Sequence, residues 1–392
     1  MSILDSARKL LVAVVLFGPL GSMAFERYAT IHRFTIPEGF APAGSLVETS
    51  DGRLFGLTEE GGINRNVDSQ IGCGSIVSLD ASRHVTTVHR FRGPPEDGCQ
   101  GRGGLLFVGG TLFGATAYGG ASDSGTIFAI TRDGKYRIVH EFTGSDGWKP
   151  NGSLIVGRDG NLWGTTVGGG GFQDAGTIYK LSADGKLETV YSFPQNGPLG
   201  QSPLQGLVIG SDGALYTSAN FGKNDVGTIV RVDTAGIVTL VHALTTGEGK
   251  FPGGLSVGFD GQLLGVASAG GRYGLGTLFS IDLESGVLTS LHDFAGGADG
   301  IYPTMAPIQV SANLLTGTTT GAAGYPGILY TFQIGSNQLK TLHQFGQTVR
   351  DGAGPVGQLL LGSDGRVYGT CMVGGNSEVD GIGAGTVFLL SP

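Results

Sequence analysis

Charge is scarce in this chain. Asp, Glu, Lys and Arg supply 14% of its 392 residues, against roughly 25% in typical globular domains. The 24 basic residues form no run and the net charge is −8. Nucleic-acid binding needs a basic footprint, so that class is excluded. No apolar run beyond residue 24 approaches the ~20 residues of a membrane-spanning helix. Cysteine occurs three times, as Cys73, Cys99 and Cys371, so at least one thiol has no partner within the chain. No HExxH, CxxC, P-loop or EF-hand spacing is found, and neither a metal nor a cofactor is expected.

Glycine, by contrast, is abundant. It fills 74 positions, about 19% against a background near 7%. Apolar residues still make up 40%, so the chain is not disordered. The glycines have no period of three, which rules out collagen. A long glycine-rich chain with a sizeable core needs many tight turns, and that points to all-β structure.

The first 24 residues stand apart. Arg8-Lys9 precede an eleven-residue apolar stretch, Leu10 to Leu20, and Ser22-Met23-Ala24 places small residues at −3 and −1 of a cut after Ala24. This pattern predicts a signal peptide over 1–24 and a secreted or periplasmic protein, with 25–392 as one domain. Export permits disulfides.

One motif decides the fold. Apolar-His-x-Phe recurs as Ile31-His32-Arg33-Phe34, Val88-His89-Arg90-Phe91 and Val139-His140-Glu141-Phe142. It recurs again as Val190-Tyr191-Ser192-Phe193, Val241-His242-Ala243-Leu244, Leu291-His292-Asp293-Phe294 and Leu342-His343-Gln344-Phe345. The last positions are spaced by 57, 51, 51, 51, 50 and 51 residues. Within one unit, Ser153–Val156, Leu162–Thr166, Gly176–Leu181 and Leu187–Phe193 read as strands A to D. Asp159-Gly160 and Asp184-Gly185 sit between them as predicted type I′ hairpin turns. Four antiparallel strands per 50 residues, repeated, signify a β-propeller blade. The first motif is a strand D with no A to C before it, and Gly385–Leu390 is a strand C with no D after it. The sequence therefore predicts a seven-bladed propeller whose last blade is closed by the N-terminal strand. Closure removes the exposed edges that invite aggregation.

The units Leu-Trp-Gly-Thr-Thr…Gly-Gly…Gly-Thr-Ile-Tyr (162–179) and Val-Tyr-Gly-Thr-Cys…Gly-Gly…Gly-Thr-Val-Phe (367–388) resemble the GloVer tandem repeat of exported bacterial proteins. The resemblance implies a repeat architecture and an exported location, and carries no known chemistry.

The A–B and C–D turns share one face, and the longer B–C and D–A loops share the other. Function gathers in variable loops on a rigid scaffold, so a site is expected on the second face. There the D–A loops repeat acidic-Gly-x-x-Pro, with Glu38, Asp97, Asp146, Glu248, Asp299 and Asp351 as the acids. Asp97 has Gly101 in place of proline, and one loop, Leu199-Gly200…Pro203, lacks the acid. Six carboxylates could hold a cation or do acid–base work. A feature present in six blades is better explained by each acid bonding its own turn's amides. The same face carries Phe40, Tyr118, Trp148, Phe172, Phe221, Phe251, Tyr273, Tyr302 and Tyr325, with Lys149, Lys250 and Arg272 beside some of them. Aromatics beside polar groups suit sugar rings, although they could instead pack between loops. The candidate ligand-binding residues are Tyr118, Asp146, Trp148, Lys149, Phe251, Tyr273, Asp299 and Tyr302. The repeated histidines read as packing groups, and Gly254-Leu255-Ser256-Val257-Gly258 as a strand A rather than a nucleophile elbow. Cys73 and Cys99, on one face, are expected to form a disulfide, with Cys371 free and buried.

The leading functional reading is a monomeric extracellular binding module for a glycan. The alternatives are a polysaccharide lyase or hydrolase acting on the same face, and a protein–protein scaffold.

Overall fold

The tight turns set the strand pairing. In the computed structural model, which describes residues 25, 27–62, 72–171, 175–221, 225–322, 325–375 and 383–392, Gly160 has φ +78° and its N–H bonds the Gly157 carbonyl at 2.9 Å. Asp159 Oδ1 accepts the Asn161 N–H. Gly213, Gly261 and Gly365 repeat the bond to Gly210, Gly258 and Gly362. Only the glycine takes positive φ, so these are type I turns closed by a left-handed glycine rather than the type I′ turns expected from Asp-Gly. The aspartate favours the turn by capping its own loop amide.

These hairpins build seven four-stranded antiparallel sheets. Blades 1 to 6 span 40–90, 98–141, 148–192, 208–243, 250–293 and 308–344. Blade 7 holds strands Gly352–Leu361, Val367–Gly374 and Thr386–Ser391, and its outer strand is Arg27–Arg33. Tyr28 faces Leu390 and Arg33 faces Thr386 in an antiparallel ladder. The ring is closed as the repeat phase requires. In blade 3 strand A, expected over Ser153–Val156, is formed at Ile155–Val156, and Trp148–Pro150, expected in the D–A loop, also pairs with strand B across the bend at Gly152.

The apolar core is divided as well. Each of seven buried clusters joins two adjacent blades. Phe113, Ile127 and Phe142 of blade 2, for example, pack with Leu154, Leu162 and Tyr179 of blade 3. The anchors Phe34, Phe91, Phe142, Phe193, Phe294 and Phe345 are almost wholly buried. Each donates its N–H to the carbonyl of the glycine that opens strand C, as Phe142 does to Gly125 at 2.9 Å.

At the axis the A strands crowd together. A Cβ on Gly44 would lie 1.1 Å from the Gly103 carbonyl oxygen, one on Gly152 2.3 Å from Gly206 N, and one on Gly357 2.2 Å from Gly44. No side chain fits at these crossings.

Further out, adjacent blades are stapled by backbone. The residue before the repeated proline, or before Gly101 in its place, takes φ near +50° as Ala41, Gln100, Lys149, Ser202, Phe251 and Tyr302. Its N–H bonds the preceding blade's carbonyl at Ala384, Cys73, Ser124, Ala175, Val226 and Leu275. Pro42, Pro150, Pro203, Pro252 and Pro303 then lie against the opening glycine of that blade, leaving no space for a Cβ on Gly385, Gly125, Gly176, Gly227 or Gly276. At the junction of blades 1 and 2 the proline is replaced by Gly101. The Cys73–Cys99 disulfide bridges that same junction, with Cα atoms 4.5 Å apart. Cys371 is free and buried.

Removing residues 25–34 should cost more than about 5 kcal/mol, a large part of an ordinary domain's stability, because it strips Phe25, Tyr28 and Phe34 from two blade interfaces. Thermal unfolding of the truncated protein checks this. A Tm equal to that of the full protein would refute the closure.

Candidate ligand-binding face

The D–A loops are held from within. His140 Nε2 lies 2.9 Å from Asp146 Oδ2, and Asp146 Oδ1 accepts the Thr143 N–H at 2.8 Å and its hydroxyl at 3.0 Å. The pairing recurs as His32–Glu38 at 3.2 Å, His89–Asp97 at 3.1 Å, His242–Glu248 at 3.2 Å, His292–Asp299 at 2.8 Å and His343–Asp351 at 2.9 Å. Each of these rings also packs edge-on against its own blade's anchor where that is Phe, as His140 does on Phe142 at 5.0 Å. Tyr28 and Tyr136 stack flat on His343 and His89 of the preceding blade. The histidines thus pack, as the repeat suggested, and they also latch the acids. The glycine after the acid lies on a threonine pair: a Cβ on Gly147 would be 2.5 Å from Thr166, whose hydroxyl is 2.8 Å from that of Thr177. The acid, the glycine, the backbone of the residue before the proline and the proline of acidic-Gly-x-x-Pro therefore each have a mechanical role.

Burial alone would raise the pKa of these acids. Hydrogen bonds from the histidines and loop amides outweigh it, and Asp97, Asp146, Asp351, Glu38 and Glu248 are all held below the usual carboxylate range. Among the described residues no group of three or more His, Cys, Asp or Glu could hold a metal ion.

One blade breaks the pattern. Blade 3 has Tyr191 where the others have histidine, and the loop that follows has Leu199 where they have the acid. Blade 4 has an inner strand of two residues, Val208–Ile209. Its B–C turn places Phe221 at φ +54°, where glycines 61, 119, 169, 270, 321 and 374 turn the other blades. A bulky residue in that region costs of order 1–3 kcal/mol.

Two hollows open on this face. The axial cavity, about 220 Å³, is lined by all seven A strands, and Glu59 and Arg102 are the charged residues in its lining. They pair at 3.1 Å (Nη2 to Oε2), and Arg102 Nε is buried with no hydrogen-bond partner. Burial raises the Glu59 pKa, and Arg102 offsets this only in part. Glu60 beside it is raised by burial and by the Glu59 charge. No other blade has a charge at the position of Glu59 or of Arg102. The second hollow is a cleft of about 310 Å³ between blades 4 and 5, walled by Phe221 and Phe251, whose rings meet edge-on at 5.5 Å.

The aromatics expected from sequence fall into groups. Lys149 Nζ lies 4.3 Å from the Trp148 ring centre and 4.7 Å from that of Tyr118. Arg272 lies over the exposed Tyr273. Tyr302 is exposed, and its carbonyl accepts the Thr320 N–H and hydroxyl. Asp146 and Asp299 are engaged by His140 and His292. Phe40 is buried between blades 7 and 1 and does not face the ligand side. Phe172 and the Tyr325 side chain lie outside the described residues. The exposed aromatics Trp148, Phe221, Tyr273 and Tyr302 thus run in sequence from blade 3 to the loop that enters blade 6.

A family model for the Gloeobacter/Verrucomicrobia repeat matches residues 22–222, 67–268 and 203–392. The chain belongs to this repeat family. Among solved structures the fold is similar to virginiamycin B lyase from Staphylococcus aureus, with a TM-score of 0.62 and 15% identity over 93% of this chain and 100% of that one. It is also similar to puromycin hydrolase, with a TM-score of 0.54 and 14% identity over 87% of this chain and 52% of that one. At such identities the likeness concerns the fold alone. A comparison with curated proteins gives no match.

His140→Ala removes both the latch and the edge-on contact with Phe142, and is expected to cost about 1–3 kcal/mol by thermal unfolding. Because Glu38, Asp97, Asp146, Glu248 and Asp351 have lowered pKa values, their stabilising contribution is complete above the ordinary carboxylate range of about 4 and is lost as pH falls through the lowered values. Tm should therefore hold between pH 7 and 5 and drop below about pH 4, less steeply in His140→Ala. A parent whose Tm is flat to pH 2 would remove the latches from the account.

Proposed function

We propose that the protein is an exported propeller that binds an extracellular glycan on its B–C/D–A face. The observation that carries this reading is the series of exposed aromatics Trp148, Phe221, Tyr273 and Tyr302. Aromatic rings with an apolar face and polar neighbours stack on sugar rings, and solvent-facing rings in loops contribute little to a core. The signal-like segment 1–24, the disulfide and the lack of any helix long and apolar enough to cross a membrane among the described residues support an extracytoplasmic location. The domain is read as 25–392, acting as a monomer.

The test is a glycan array followed by titration of the hits. Trp148→Ala with Tyr302→Ala should weaken binding at least about tenfold, ~1.4 kcal/mol, while stability stays within about 0.5 kcal/mol. If the double variant unfolds as readily as His140→Ala, the aromatics serve the fold and the reading loses its support.

A catalytic reading is favoured by one observation: the Glu59–Arg102 pair, at non-repeated positions inside the axial cavity. A carboxyl shifted towards its protonated form is a proton donor in waiting. On this reading Glu59→Gln should abolish reducing-end release from an array hit and leave its affinity within about twofold. Undiminished release by Glu59→Gln, or none by the parent, would rule out this role.

A further inference from the structure

In a tandem repeat, features shared by every unit serve the scaffold, and those confined to one unit need another reason. Blade 4 and its junctions gather several such departures. The His–acid latch is missing ahead of it, at Tyr191 and Leu199. Phe221 occupies a left-handed turn position that glycine fills in the other six blades, and it is 38% exposed, so burial does not offset the strain. Asn220 is 95% buried, lines the blade 4–5 cleft, and its Oδ1 has no hydrogen-bond partner. A buried acceptor left unpaired in a native protein calls for an explanation, and so does a costly aromatic held half in solvent.

The cleft supplies one for both. Its lining includes Gln205, Asn220, Phe221, Phe251, Ser268 and Thr304, and none of its described lining residues is charged. Its volume, about 310 Å³, lies at the small end of ligand pockets, roughly 300–1,000 Å³. Two edge-on phenyl rings give a sugar an apolar wall. Amide and hydroxyl groups give its hydroxyls partners, and among the described lining residues no cation compensates the charge of an acidic sugar.

We infer that the blade 4–5 cleft is the subsite holding a neutral sugar ring, stacked on Phe221 and Phe251, with a sugar hydroxyl donating to Asn220 Oδ1. The inference rests on the glycan reading above and names where on the face the chain is gripped and which class of sugar it takes. Phe221 is the specificity device: it trades local backbone strain for a stacking wall.

The decisive variant is Phe221→Gly, which restores the residue that the backbone prefers. Its Tm should equal or exceed the parent's, so loss of folding does not confuse the result. Calorimetric titration would use neutral hexaoses of β-1,4-glucan, β-1,3-glucan and β-1,4-mannan, with oligogalacturonate as the acidic probe. At least one neutral hexaose should bind the parent, bind Phe221→Gly at least tenfold more weakly, and bind Asn220→Ala several-fold more weakly. Oligogalacturonate should bind neither protein more tightly than the neutral chains. If a neutral hexaose binds the parent and Phe221→Gly equally, the cleft assignment falls and the glycan reading survives. If oligogalacturonate is the preferred ligand and its binding depends on Phe221, the neutral class is wrong. If no glycan binds the parent here or on the array, both readings fall together.

Discussion

Strands converging on one axis leave no room for a side chain at four of their crossings, and much of this architecture follows from that crowding. Glycine must stand at Gly44, Gly103, Gly152 and Gly357 because neighbouring backbones touch there. Chains that approach so closely can be joined by main-chain bonds, and at six junctions a left-handed residue makes one to the previous blade. The proline then presses on the glycine that opens the preceding blade's strand C, and that glycine's carbonyl receives the buried anchor's N–H. Axis, junction and core form one connected set of contacts, repeated around the ring.

The latches belong to the same logic. A D–A loop must turn sharply on a wet surface with little apolar area to bury. A carboxylate that bonds its own loop amides and a histidine on the preceding strand fixes the loop with polar contacts alone. Where a standard contact is missing, another stands in. The junction lacking proline carries the disulfide. The loop lacking the acid, 194–207, is tied instead by the Gln201 side chain, whose Oε1 accepts the Asn196 N–H at 2.7 Å.

The ring was legible in the sequence because its unit is local. Apolar-His-x-Phe and Asp-Gly recur at fixed spacing, and the strand left over at each end of the chain implies closure. The turn type was misread because Asp-Gly fits both a type I′ turn and a type I turn closed by glycine. The latch was half visible. His and acid are six to eight residues apart across a loop of varying length, so no fixed spacing announces the pair. Its signal was joint loss, since Tyr191 and Leu199 replace both partners in the same unit. Glu59 and Arg102 are 43 residues apart and meet only at the axis. Aligning the repeats against one another would have isolated them as single charges in otherwise uncharged columns. The cleft was less accessible still, because its volume arises from the way blades 4 and 5 lean together.

The outer strand of blade 7 has a consequence for the order of assembly. Residues 27–33 are made first, yet their partners are 386–391. Blades 1 to 6 complete themselves from contiguous sequence, but the seventh must wait for the far end of the chain. Its long-range pairing makes ring closure a late step with a high loop-closure cost. Until then the open face of blade 6, with Leu329 and Phe345, and that of blade 1, with Phe40 and Leu46, lack their cover. The nascent horseshoe is thus the species most open to association with its own kind.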